Sequence, residues 1–163
     1  MTVPDRATTP ALLQVDAILS RLTGRAALAE VCRFLRQSFA HYPWVGIYRV
    51  EGTDLVLDAW DGPRATEHTR IPVARGICGQ AVRERRSVVV DDVRSDPNYL
   101  ACFRETRAEI VVPISHEGEV VGEIDIDGNS VSAFDASDRR FLENVAAKLG
   151  PVVERSAAEL PLG

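Results

Sequence analysis

The stretch Gly122–Asp127, GEIDID, closes a segment, EVVGEIDID, that otherwise reads as buried strand. Side chains alternate faces along a strand, so Val120, Gly122, Ile124 and Ile126 share one side. Asp125 and Asp127 then stand together on the other side, with Glu123 beside them. Crowded carboxylates can share a proton, serve as general acid, or hold an ammonium or a metal ion. The plainer reading is a solvated strand face.

Two cysteines add nucleophilic chemistry. Cys102 lies in the aperiodic run RSDPNYLACFRETRA, where Arg104 and Arg107 follow it and can favour a thiolate. Cys78 lies in RGICGQ near the start of a predicted helix, where unpaired N–H groups favour an anion. Packing of Cys78 as a small residue under a tight turn is the alternative. Cys32 falls on the apolar stripe Leu28, Val31, Cys32, Leu35, Phe39 and reads as core.

The elements that must position these residues follow from hydrophobic period. ALLQVDAILSRL and RAALAEVCRFLRQSF carry helical spacing, with Gly24 between them. WVGIYRV and DLVLDAW form a predicted hairpin through Glu51, Gly52 and Thr53. Trp44 and Tyr48 share one face of its first strand and can wall a ligand pocket or fill the core. TRIPV is a short extended piece, RGICGQAVRER a helix, and SVVVDDV a short parallel or central strand. EIVVPI and EVVGEIDID make a second hairpin around SHEG. With its turn centred on Glu117, Ile114 faces Val120 and Glu109 falls opposite Asp125, gathering three carboxylates on one patch.

The closing segment from Ser132 is a helix capped by Asp135 or Ser137, with Phe141, Leu142, Val145 and Leu149 inward and a kink at Pro151. Helices at both ends around a mostly antiparallel sheet define an α+β domain. Residues 1–10 are expected to be a disordered or extended lead-in, and 11–163 a single domain.

Composition narrows the function classes. The 163 residues are 45% hydrophobic and 26% charged, with net charge -5 and no basic run, which argues against nucleic acid. No stretch reaches membrane-spanning length and no signal peptide is visible, so a cytoplasmic protein is expected. Three cysteines without a Cys-x-x-Cys pair, and three scattered histidines, point to reduced thiols and no metal centre.

WVGIY, TRIPVARGICGQAV, EIVVPI, GEIDID and FDASDRRFLENVA occur in the order and spacing of GAF domains of the free methionine-(R)-sulfoxide reductase family. The chain resembles that family over roughly residues 25 to 155. The resemblance implies a GAF fold and thiol-dependent reduction of free methionine-(R)-sulfoxide through a cysteine sulfenic acid, without cofactor. It implies Cys102 as nucleophile, Glu109, Asp125 and Asp127 as the acids that hold and activate substrate, and Trp44 and Tyr48 as the aromatic wall. It also implies Cys78 as a second family cysteine, a thiol reductant such as a thioredoxin, and a homodimer.

One departure stands out. The family's usual third cysteine, expected to resolve the oxidised nucleophile, is replaced by His68. Cys78 is then the expected resolving thiol, or a small-molecule thiol takes the part. A non-catalytic GAF module that binds a small ligand or senses redox state is the alternative function.

Overall fold

The computed structural model describes residues 8–101 and 103–159. Cys102, the expected nucleophile, therefore lies outside the described residues. Four α-helices flank a six-stranded sheet: α1 (Thr8–Arg21), α2 (Gly24–Ser38), α3 (Gly76–Glu84) and α4 (Ala136–Ala157). The strands are β1 (Trp44–Glu51), β2 (Asp54–Asp61), β3 (Arg70–Pro72), β4 (Val88–Val90), β5 (Ala108–His116) and β6 (Glu119–Gly128). They lie in the order β3-β2-β1-β6-β5-β4, with antiparallel neighbours throughout. The α+β class and mostly antiparallel sheet agree with the sequence.

The sheet is two-sided. Val45, Ile47, Ile110, Val112, Ile114, Ile124 and Ile126 meet the apolar stripes of α1, α2 and α4 on one face. On α2 that stripe is Ala27, Leu28, Val31, Cys32 and Leu35, the spacing that puts one face of a helix inward. The opposite face is covered only in part, by α3 and the loops around it. There Tyr48, Leu55, Ile71, Ile77, Ala81 and Val111 form a smaller cluster.

Three expectations change: the start of α1, the place of SVVVDDV and the β5–β6 register, while the Asp135 cap of α4 is as expected. Helix α1 begins at Thr8, so residues 8–10 are helical, because Pro10 in a first turn removes a donor that has no intrahelical partner. SVVVDDV is neither parallel nor central: β4 is an edge strand antiparallel to β5, its three residues held from one side. Asp135 caps α4 and Asp138 completes a capping box, and the helix continues through Pro151 to Ala157.

The β5–β6 register also differs. Glu117 (φ 52°) and Gly118 (φ 82°) form a two-residue turn of the type that matches strand twist. A bulge between Ile114 and Ser115 then shifts the ladder, so Ile114 pairs with Gly122 and Glu109 with Asp127. The slip is by two residues, which keeps every side chain on its expected face.

Candidate functional site: a buried acidic row beneath helix α3

Three adjacent strands present a grid on the face toward α3. Trp44, Asp127 and Glu109 form one row across β1, β6 and β5, and Gly46, Asp125 and Val111 form the next. Tyr48, Glu123 and Pro113 form the third. Central strands leave little water: Glu109 is 5% exposed, Asp125 and Asp127 2%, and Glu123 0%. A solvated strand face is therefore excluded.

The polar atoms in this grid are poorly matched. Both carboxyl oxygens of Glu123, both of Asp127 and Oδ1 of Asp125 have no hydrogen-bond partner among the described residues. Buried polar atoms without partners are rare in folded proteins, and each costs on the order of 1–3 kcal/mol. Burial pushes the Glu123 and Asp127 carboxyls well above the usual carboxylate range; the Cys78 thiol opposes the shift at Glu123, and the neighbouring Asp125 charge adds to both. Burial raises Asp125 as well, opposed by hydrogen bonding with Glu109 and Cys78 and by His68. The row thus holds protons at pH values where exposed carboxyls are ionised.

Cys78 is the third residue of α3 and points down onto this row. Its Sγ lies 3.9 Å from Glu109 Oε1. The expectation of a thiolate here is overturned. Burial, then Asp125, Glu123 and Glu109, push the Cys78 thiol well above its usual range. The helix N-terminus is the weaker influence, because one helix end offers about half a charge against several buried acids. Sulfur and one oxygen each of Glu109 and Asp125 lie within 4.8 Å of one another, so the three can converge on a single cation.

Two small recesses open on either side of the row. Asp127, Trp44, Phe103 and Thr106 line the first. Cys78, Glu109, Asp125 and His68 line the second. At about 20 and 10 Å³, each admits little more than a water molecule. A ligand of amino-acid size therefore requires these recesses to widen.

Aromatic rings do gather beside the row, in a set other than Trp44 and Tyr48. Trp44 stacks on Trp60 at 6.2 Å and 11°, and Phe103 leans against it at 5.8 Å. Glycine makes this placement possible: a Cβ on Gly46 would sit 2.5 Å from the Trp44 ring, and one on Gly62 2.3 Å. Trp44 Nε1 donates to the Arg64 carbonyl at 3.2 Å. Tyr48, expected in the wall, lines neither recess. It is fully buried, and its hydroxyl donates to the His68 carbonyl at 2.7 Å, which fixes the strand-to-loop connection instead. His68 in turn donates from Nε2 to the carbonyl of Ala101 at 3.0 Å, tying the β3 approach to the loop that carries Cys102.

Sequence pattern brought Glu109, Asp125 and Asp127 together correctly, while the approach of Cys78 to them is visible only in the structure. It left Glu123 out of the site, although strand alternation already put that residue on the same face. Trp60, Phe103 and Thr106 were missed. The latter two sit in a loop with no period to read.

A helix-flanked antiparallel sheet with its pocket under a short helix defines the class. A family model for the GAF domain matches residues 23–154, and the chain belongs to the GAF-domain family. Among its relatives, the free methionine-R-sulfoxide reductase of Escherichia coli is 32% identical over 128 residues, 78% of this chain and 76% of that one. The solved structure of the free methionine-R-sulfoxide reductase of Neisseria meningitidis in complex with its substrate is 34% identical, with TM-score 0.85, covering 98% of this chain and 97% of that one. The type II free methionine-R-sulfoxide reductase of Thermoplasma acidophilum is 39% identical, with TM-score 0.78, covering 80% of this chain and 92% of that one.

Proposed function

We propose that this protein reduces free methionine-(R)-sulfoxide to methionine. One observation carries the reading: a row of buried acids whose oxygens lack partners, beside an aromatic wall. A zwitterionic amino acid supplies what that row lacks. Its ammonium pairs with carboxylate, its sulfoxide oxygen accepts a hydrogen bond from a protonated acid, and its thioether end packs on aromatic rings. Relatives named for this activity, matched over most of their length, support the same reading.

In the proposed reaction the thiolate of Cys102 attacks the sulfoxide sulfur while a protonated acid of the row donates to the departing oxygen. Methionine leaves and Cys102 is left as a sulfenic acid. The sulfoxide sulfur gains two electrons and the cysteine sulfur loses two. Thiols from outside then reduce the sulfenic acid and release water.

The test is incubation with racemic free methionine sulfoxide and dithiothreitol, followed by chromatographic resolution of the epimers. Loss of the R epimer alone is expected, with N-acetylated substrate untouched and Cys102→Ser inactive. Equal turnover of the acetylated compound would remove the ammonium from the argument. Full activity in Cys102→Ser would remove the mechanism.

A further inference from the structure

We propose that Cys78, Glu109 and Asp125 form a site for one thiophilic divalent cation of the zinc class, and that the seated ion blocks the acidic row to an amino-acid substrate. The metal site stands on geometry alone. The blockade rests on the reductase reading.

The three ligands come from three elements: Cys78 from α3, Glu109 from β5 and Asp125 from β6. No two share an element, so no metal-ligand spacing shows in the sequence. Their donor atoms, one sulfur and two oxygens, lie within 4.8 Å of one another. Cys78 Sγ and Glu109 Oε1 are 3.9 Å apart. In a tetrahedral zinc site, a thiolate sulfur and a carboxylate oxygen stand about 3.6 Å apart, so this pair is already near ligand spacing. The recess they line has a volume of about 10 Å³, which suits one water molecule or one ion and excludes an amino acid. No arginine or lysine is among the described residues that line it.

A second observation points to an ion. Glu123 stands outside the ligand trio, is 0% exposed and acts on the same thiol at close range. Neither of its carboxyl oxygens has a hydrogen-bond partner among the described residues. Asp125 lines the recess with its Oδ1 likewise unmatched. Two buried carboxyls are thus turned toward one thiol without a donor to satisfy them, and a cation among them supplies the missing partner.

Donor type selects the ion. One thiolate and two carboxylates suit Zn²⁺, or Co²⁺ in its place, with water in the fourth position. Ca²⁺ and Mg²⁺ take oxygen ligands and leave the sulfur unused. Binding exchanges the thiol proton for the ion, and no electron moves. Glu109 and Asp125 then face the metal and are withdrawn from a substrate's ammonium and sulfoxide oxygen.

The experiment uses Co²⁺ as a visible stand-in for Zn²⁺, in the full chain carrying Cys102→Ser, so that Cys78 and the fully buried Cys32 are the thiols left. One equivalent of Co²⁺ should give the near-ultraviolet charge-transfer band of a cobalt–thiolate bond, erased by Zn²⁺ and untouched by Mg²⁺. Adding Cys78→Ser should remove the band. Asp125→Asn should weaken Co²⁺ binding by about tenfold or more, the scale of one lost charge-assisted contact. Zn²⁺ at about a hundredfold excess over its Kd should raise the melting temperature by about 5 °C or more, except in the Cys78→Ser protein. Where circular dichroism shows that Cys78→Ser does not fold, Asp125→Asn and Glu109→Gln decide the matter. A cobalt spectrum without a thiolate band, or a band that survives Cys78→Ser, overturns the site. The Cys102→Ser protein also allows methionine sulfoxide binding to be titrated by calorimetry without turnover. Zinc loading should lower that affinity by about tenfold or more, and an unchanged affinity overturns the blockade. No binding of methionine sulfoxide with or without zinc would refute the reductase reading, and the cobalt band would still decide the metal site.

Discussion

Two buried carboxyl sites in this molecule are built on opposite terms. On the helix side of the sheet, the Asp58 side chain is 2% exposed and fully matched: Arg49 Nε lies at 3.0 Å, Arg25 Nε at 3.4 Å, and the Ser156 hydroxyl donates at 2.5 Å. That cluster ties β1, β2, α2 and the end of α4 together. On the other side, Glu123, Asp125 and Asp127 are as deeply buried, yet oxygens of all three go unmatched. A carboxyl that serves the fold is given its cations by the fold. One that is not given them is arranged for something that arrives, and it destabilises the empty protein meanwhile. The contrast sets a structural acid apart from the acids of the proposed site without reference to any relative.

The largest expected effect lies in the acidic row. Asp125→Asn, Asp127→Asn and Glu109→Gln should each lower kcat/KM for free methionine-(R)-sulfoxide by about 10²-fold or more, the usual scale for a lost acid or charge partner. Melting temperature should hold or rise, since the amide keeps the shape and removes the cost of burying an ionisable carboxyl. Full activity with lowered stability in all three would erase the contrast with Asp58.

The converse change is next. Asp58→Asn should cost about 3 kcal/mol of stability by leaving Arg49 and Arg25 without their shared partner, measured by denaturant unfolding. Activity per folded molecule should stay near wild type. A large loss of turnover at unchanged stability would show that Asp58 belongs to the site.

The smallest effect is a slope against pH. Folded-state pKa values of Glu123 and Asp127 are raised by burial, so folding favours their protonated forms. The stability this contributes is complete below the ordinary carboxylate range, about pH 4, and is lost as pH rises through the raised folded values. Wild type should therefore lose stability between pH 4 and neutrality relative to Glu123→Gln, by about 1 kcal/mol or more. Parallel stability curves for the two proteins would mean that Glu123 is ionised or solvated in the fold.

Local rules made much of this readable in advance. The strict period of two in EVVGEIDID decided that Asp125 and Asp127 share a face, and no tertiary contact could alter that. Helical period decided that Cys32 is core, and α2 buries it fully. Register was the first thing beyond reach. Glu109 meets Asp127 because a bulge at Ile114 and Ser115 shifts the ladder, and a bulge leaves no mark in a hydrophobic pattern.

Electrostatics was the second. A helix N-terminus is visible in RGICGQ, but the acids that raise the Cys78 thiol come from β5 and β6, more than thirty residues onward. The same distance hides the partners of Asp58, since Arg25 and Ser156 lie 33 and 98 residues away. By itself the sequence determined which side chains face together, because that depends on backbone geometry one or two residues away. Only the tertiary structure decided which buried charges are matched. Burial and pairing arise where distant strands and helices meet, and there a carboxyl becomes either a tie in the fold or a waiting site.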